Sequence, residues 1–127
     1  QIDATLVRNE KTWHLIYKDE RGENKQGTDN KAMRVAVSDT LEGPYEAVTG
    51  LVTPHLTEGP AVFRAGGRWL MLYDHFMEHR WGGAESNDLK TWKVLEGVPK
   101  VPDTARHGSV LSITRDEFAN LKAKLGE

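Results

Sequence analysis

The chain has 127 residues, 38% of them hydrophobic and 28% charged, the balance of one ordinary globular domain. A net charge of −2 and a pI near 6.2, with Lys and Arg scattered, leave no basic footprint for nucleic acid. No stretch approaches the roughly 20 apolar residues of a membrane span, and the absence of cysteine excludes disulfides and thiolate metal sites.

The chain opens on Gln1-Ile2-Asp3, which is neither a secretory signal nor an initiator methionine and reads as a processed, trimmed or cloned start. From there two copies of one unit follow. Each begins with an acid and a short apolar strand, Asp3-Ala4-Thr5-Leu6-Val7 and Glu58-Gly59-Pro60-Ala61-Val62-Phe63. A polar turn comes next, Asn9-Glu10-Lys11 and then Ala65-Gly66-Gly67. An aromatic-rich strand follows, Trp13 to Tyr17 and Trp69 to Tyr73, with both pairs of landmarks 56 residues apart.

The third strand of each unit ends in Ala, one residue and Ser, with Ala36 and Ala84, and Ser38 and Ser86, 48 apart. A fourth edge closes each, 43–48 and 89–94. Four short strands at a period near 50 residues mark propeller blades, against the alternative of an antiparallel sandwich with chance similarity. Between the second and third strands, Asp19 to Lys31 reads as a long polar loop.

A third unit starts at His107-Gly108-Ser109-Val110 and is not completed. Instead Thr114 to Glu117 forms a capping box, and Phe118, Leu121 and Leu125 recur at helical spacing. The expected fold is all-β: a partial propeller with blades at 1–50 and 51–98, then a closing strand and C-terminal helix over 105–127. Two blades and a strand cannot close a ring. The chain is therefore expected to be a fragment lacking N-terminal blades, a homo-oligomer whose copies complete one another, or a degenerate relative.

Three polar residues head the three first strands: Asp3, Glu58 and His107. First strands lie nearest a propeller's channel, so equivalent blades would gather two carboxyls and an imidazole at one axial pocket, where charges shift one another's pKa. That arrangement suits glycosidic chemistry, which keeps one carboxyl protonated beside an ionised one. Each residue also has a plain reading, as a solvated terminal acid, a turn glutamate before Gly-Pro and a surface histidine.

At these residues the chain resembles glycoside hydrolase family 43, the arabinanase, arabinofuranosidase and β-xylosidase group. The pieces that carry the resemblance are Ile2-Asp3-Ala4 with Tyr17-Lys18-Asp19, Arg34 to Ser38, Thr57-Glu58-Gly59-Pro60, Tyr73-Asp74-His75-Phe76, Arg80 to Ser86, and Arg106 to Val110. The resemblance implies a five-bladed propeller and an inverting hydrolase acting on carbohydrate, with Glu58 as general acid and Asp3 as the carboxylate that orients it and raises its pKa. It implies His107 as the axial histidine, holding a water or a calcium ion, and Arg80 as a substrate contact. Trp81, beside Arg80 in what reads as a loop, is the tryptophan placed to stack on a sugar; Trp13, Trp69 and Trp92 read as packing between blades. His75, Glu78 and His79 read as structural, because their spacing suits a metal site on a helix and the pattern here is strand then loop.

The family's general base, an aspartate on the first blade, has no counterpart, since Asp39 and Asp74 follow later strands; were Asp3 that base, on a first blade, the orienting aspartate would be missing, so either assignment leaves the constellation one carboxylate short. A non-catalytic carbohydrate-binding module is the alternative, and a kelch-like interaction unit a weaker one. Polysaccharide-degrading enzymes of this kind are commonly exported, which leans the expected location to the cell exterior or periplasm.

Overall fold

A computed structural model describes residues 2–21, 31–98, 100–102 and 104–126, so most of the polar 19–31 loop lies outside the described residues. Eight strands precede one helix: β1 (Ile2–Asn9), β2 (Thr12–Asp19), β3 (Ala32–Ser38), β4 (Glu46–Ala47), β5 (Glu58–Ala65), β6 (Arg68–His75), β7 (Arg80–Ser86), β8 (Lys93–Val94) and α1 (Arg115–Leu125). They form two antiparallel four-stranded meanders, β1-β2-β3-β4 and β5-β6-β7-β8. This is the all-β partial propeller read from the repeat.

Local chemistry explains the turns. β5 and β6 are joined by Gly66-Gly67, both at positive φ, the conformation a tight hairpin needs and a side chain resists. At the far ends, Ser86 Oγ accepts from the backbone amides of Asp88 and Leu89, and Ser38 Oγ accepts from that of Thr40. The recurrent serines are thus turn caps. The outermost strands have two residues each, which blunts the sheet edges.

One core joins the sheets. Ile16, Met33 and Val35 meet Met71, Tyr73 and Ala84 in a single buried cluster, with Val7, Val52, Val62 and Trp92 against it. The inner strands β1 and β5 lie side by side, tied by a hydrogen bond from the Thr5 hydroxyl to the Pro60 carbonyl. Trp13 and Trp69 sit cross-strand under Arg8 and Arg64, each guanidinium 5.5 Å from the ring centre, and Trp69 is buried. These repeat-equivalent pairs cap the two hairpins.

The expected closing strand does not form. Residues 107–114 run without sheet pairing, because a first strand is stabilised only by a second strand beside it and none of the described residues supplies one. The expected helix does form. Thr114 Oγ1 accepts from the Glu117 amide while the Glu117 carboxylate accepts from the Thr114 amide, and Gly126 at φ 74 closes the other end. None of its residues is buried, and Phe118, Leu121 and Leu125 stay exposed.

Candidate active site

The site begins with a backbone irregularity that occurs in both sheets. The register between β1 and β2 slips by one residue between Ile2 and Thr5, and that between β5 and β6 slips between Glu58 and Ala61. A bulge of this kind bends a strand and re-aims a side chain. The bulged residues are Asp3 (φ 50) and Gly59 (φ 60), and His107 (φ 44) repeats the conformation at the start of the incomplete unit.

Register therefore corrects the simple equivalence of the three strand heads. Asp3, Gly59 and His107 share one position, while Glu58 falls one residue earlier, where the first unit has Ile2 and the third Arg106. The side chains converge nonetheless: ligand atoms of Asp3, Glu58 and His107 all lie within 4.8 Å of one another. Gly59 makes this possible, since a Cβ there would stand 2.6 Å from the His107 ring. Beside the cluster runs a groove of about 170 Å3 lined by Asp3 to Thr5, Gly59-Pro60 and His107 to Ser109. Ligand pockets commonly reach ~300 Å3 or more, so this groove by itself is small for a ligand site.

Glu58 is the electrostatic centre. Its Oε1 accepts from His107 Nε2 at 3.2 Å, and its Oε2 accepts from the Lys18 ammonium at 2.7 Å. Burial pushes the Glu58 carboxyl up, but Lys18 and His107 together outweigh it and hold the group below the ordinary glutamate value. Lys18 is itself buried on β2, bonded also to Glu20 at 2.8 Å and lying 4.8 Å from the Phe76 ring centre. Burial lowers its pKa, and the two carboxylates raise it further than that. Lys18 appeared in the sequence only as part of a motif, and nothing there pointed its ammonium across the sheet boundary at Glu58.

Asp19 and Asp74 are engaged elsewhere. Asp19 is held by Arg21 and Arg34, whose guanidinium groups keep it well below the usual range. Asp74 pairs in register with Glu58 but is buried against Arg106, with Nε to Oδ2 at 2.9 Å. Arg80 and Trp81 lie on β7 and not in a loop, because Arg80 pairs with His75 and Trp81 with Asp74. The Arg80 guanidinium is exposed and bonded to Glu78 at 2.5 Å. The Trp81 indole N–H donates to the Ala105 carbonyl at 3.1 Å, two residues before His107. Trp81 thus underpins the histidine segment. His75 is buried beside Tyr73, and His79 accepts a hydrogen bond from Arg106, so these two histidines are not grouped.

A small cation could reach Asp3, Glu58 and His107 together, but calcium takes six to eight oxygen ligands. Here one carboxylate is already neutralised by an ammonium 2.7 Å away, and the third partner offers nitrogen. The cluster does not fit a calcium cage, and no step below is routed through a metal.

Chemically, then, the arrangement is a carboxylate pair with a histidine on the rim of a groove, tuned by one buried cation. No curated protein matches the sequence. A family model described as a probable glycosyl hydrolase domain, related to family 43, matches residues 1–119. By that match over nearly its whole length, the chain belongs to the family 43-related probable glycosyl hydrolase domains.

Proposed function

We propose that this domain forms part of an inverting glycoside hydrolase acting on arabinose- or xylose-containing glycans, with Glu58 as general acid and Asp3 as the carboxylate that orients it. The observation that carries the reading is the convergence of Asp3, Glu58 and His107 within 4.8 Å at the strand heads. In the reaction Glu58 gives its proton to the departing glycosidic oxygen as the C–O bond breaks. A water adds to the anomeric carbon from the other face and loses its proton to a base.

Asp3 is too close to be that base. An inverting pair stands roughly 6.5–9.5 Å apart to admit the water, and ligand atoms of Asp3 and Glu58 lie within 4.8 Å of each other. None of the described residues stands in that place, so the base is assigned to a further segment or to another copy of the chain. Glu58 must also carry a proton before it acts, so substrate entry has to weaken its bonds to Lys18 and His107. Arg80, exposed on β7, is assigned as a substrate contact, and Trp81, bonded to Ala105, as a support of the histidine segment and not a sugar platform.

Turnover of aryl arabinofuranosides and aryl xylosides tests the reading, with proton NMR following the anomer released. Glu58→Ala abolishes hydrolysis and leaves the fold intact. Unchanged turnover by that variant overturns the acid assignment, and a product of retained configuration overturns the mechanism. One observation favours a second reading, a non-catalytic carbohydrate-binding module: Lys18 and His107 hold Glu58 ionised. Calorimetry showing binding of xylo- or arabino-oligosaccharides, with no hydrolysis by the wild type, selects it.

A further inference from the structure

His107 belongs to a segment that no sheet holds, yet its ring is seated against Gly59 and its Nε2 reaches Glu58. The residue before it explains how. Arg106 spends its guanidinium on β6 and the turn beyond it: Nε meets Asp74 Oδ2 at 2.9 Å, one terminal nitrogen donates to His79 Nδ1 at 2.9 Å, and the other donates to the Phe76 carbonyl at 3.2 Å. Asp74 is 1% exposed and Arg106 is its ion-pair partner among the described residues. The two hydrogen bonds of the planar guanidinium fix its direction, and the ion pair with Asp74 adds charge attraction, a combination a single ammonium does not reproduce.

The repeat gives an independent reason to regard this as a built device. Lys18 and Asp74 occupy the same register position in the two sheets, paired with Ile2 and Glu58 respectively. Glu58 and Arg106 each stand immediately before a residue at positive φ, Gly59 and His107. Thus Lys18–Glu58 and Asp74–Arg106 are one junction contact, running from the second strand of a unit to the head of the next, with its polarity reversed. At the first junction the acidic member also meets His107. At the second the basic member carries that histidine.

We infer that Arg106, clamped by Asp74, is a positioning residue that sets His107 against Glu58. The inference rests on the proposed site only for its consequence in turnover, because the geometry it concerns is measurable without substrate.

The test is the imidazole nitrogen signal of His107, read by long-range proton–nitrogen correlation in the 15N-labelled chain. In the wild type, Glu58→Gln shifts the Nε2 resonance, since the acceptor loses its charge. In an Asp74→Asn/Arg106→Met background that shift vanishes while the amide signals of both sheets stay in place. This double variant leaves no unpaired carboxylate in the core. Arg106→Lys, keeping a cation but not the fork, loses most of the shift. Persistence of the full Glu58-dependent shift in any folded variant lacking Arg106 overturns the inference. So does failure of every Arg106 variant to fold, because Arg106 would then determine the fold and not the histidine. If the wild type hydrolyses no aryl glycoside but the signals behave as stated, the proposed activity falls and the positioning role stands.

Discussion

Replacing Lys18 by methionine removes the ammonium and keeps most of the apolar stem that lies along Phe76. Breaking a fully buried ion pair on one side costs ~3–5 kcal/mol, and losing an exposed pair costs ~0–1 kcal/mol. The Lys18 side chain is 5% exposed, whereas Glu58 and Glu20 are 20% and 34% exposed, so water can partly replace the lost cation. The cost should fall between those limits, on the order of 2 kcal/mol. That is a large share of the ~5–15 kcal/mol that holds a typical domain together.

The pH dependence separates charge from packing. Glu58 is held below its reference value of 4.5, so its contribution is complete above that value and is lost as pH falls through the lowered one. Lys18 is held above 10.5, so its contribution is complete below that value and is lost as pH rises through the raised one. The destabilisation by Lys18→Met is therefore full between pH 4.5 and 10.5 and shrinks on either side. Urea unfolding followed by tryptophan fluorescence, at neutral pH and again at about pH 3, measures it. Equal midpoints at neutral pH, or a difference that persists undiminished in acid, would refute the electrostatic account and leave Lys18 as packing.

Other consequences follow from the same geometry. Lys18→Met removes one of the two groups that hold the Glu58 carboxyl down and leaves burial opposed by His107 alone, so the alkaline limb of any hydrolysis moves to higher pH, as a pH–rate profile would record. Gly59→Ala places a methyl 2.6 Å from the His107 ring at a φ of 60; a loss of about 1–2 kcal/mol and displacement of His107 are expected, checked by urea midpoint and histidine NMR. Thr114→Ala removes the α1 cap at ~1 kcal/mol of local helix stability. Because α1 buries nothing, helical circular dichroism should fall while the tryptophan unfolding midpoint stays put. Met71→Ala, at a fully buried position of the shared core, should lose ~2–5 kcal/mol in the same urea assay.

The fold was legible because the repeat is written in landmarks that the structure turns into register. Trp13 and Trp69 face Arg8 and Arg64, and Ser38 and Ser86 cap the same turn, so sequence spacing and hydrogen-bond pairing agree. The segment at 107–113 misled for a physical reason. Its pattern is that of a first strand, but a strand exists only through its neighbour, and pattern cannot supply one. Arg80 and Trp81 were read as loop for a related cause: the charged run Glu78-His79-Arg80 hides the start of β7.

The site shows where periodicity stops being enough. Aligning acid with acid brought Asp3, Glu58 and His107 together correctly but placed Glu58 one residue out of phase, because a bulge adds a residue that only register reveals. Taken in the right phase, the same repeat pairs Lys18 with Asp74 and Glu58 with Arg106. Those four side chains then fall into two contacts of opposite sign at equivalent places. Charge reversal at a repeated junction is invisible to a search for similar residues, since the positions match while the residues do not. It follows that what most sharply separates the two units is not their cores, which are shared, but which end of the junction pair carries the acid. That single choice puts a carboxylate at one strand head and a guanidinium at the next.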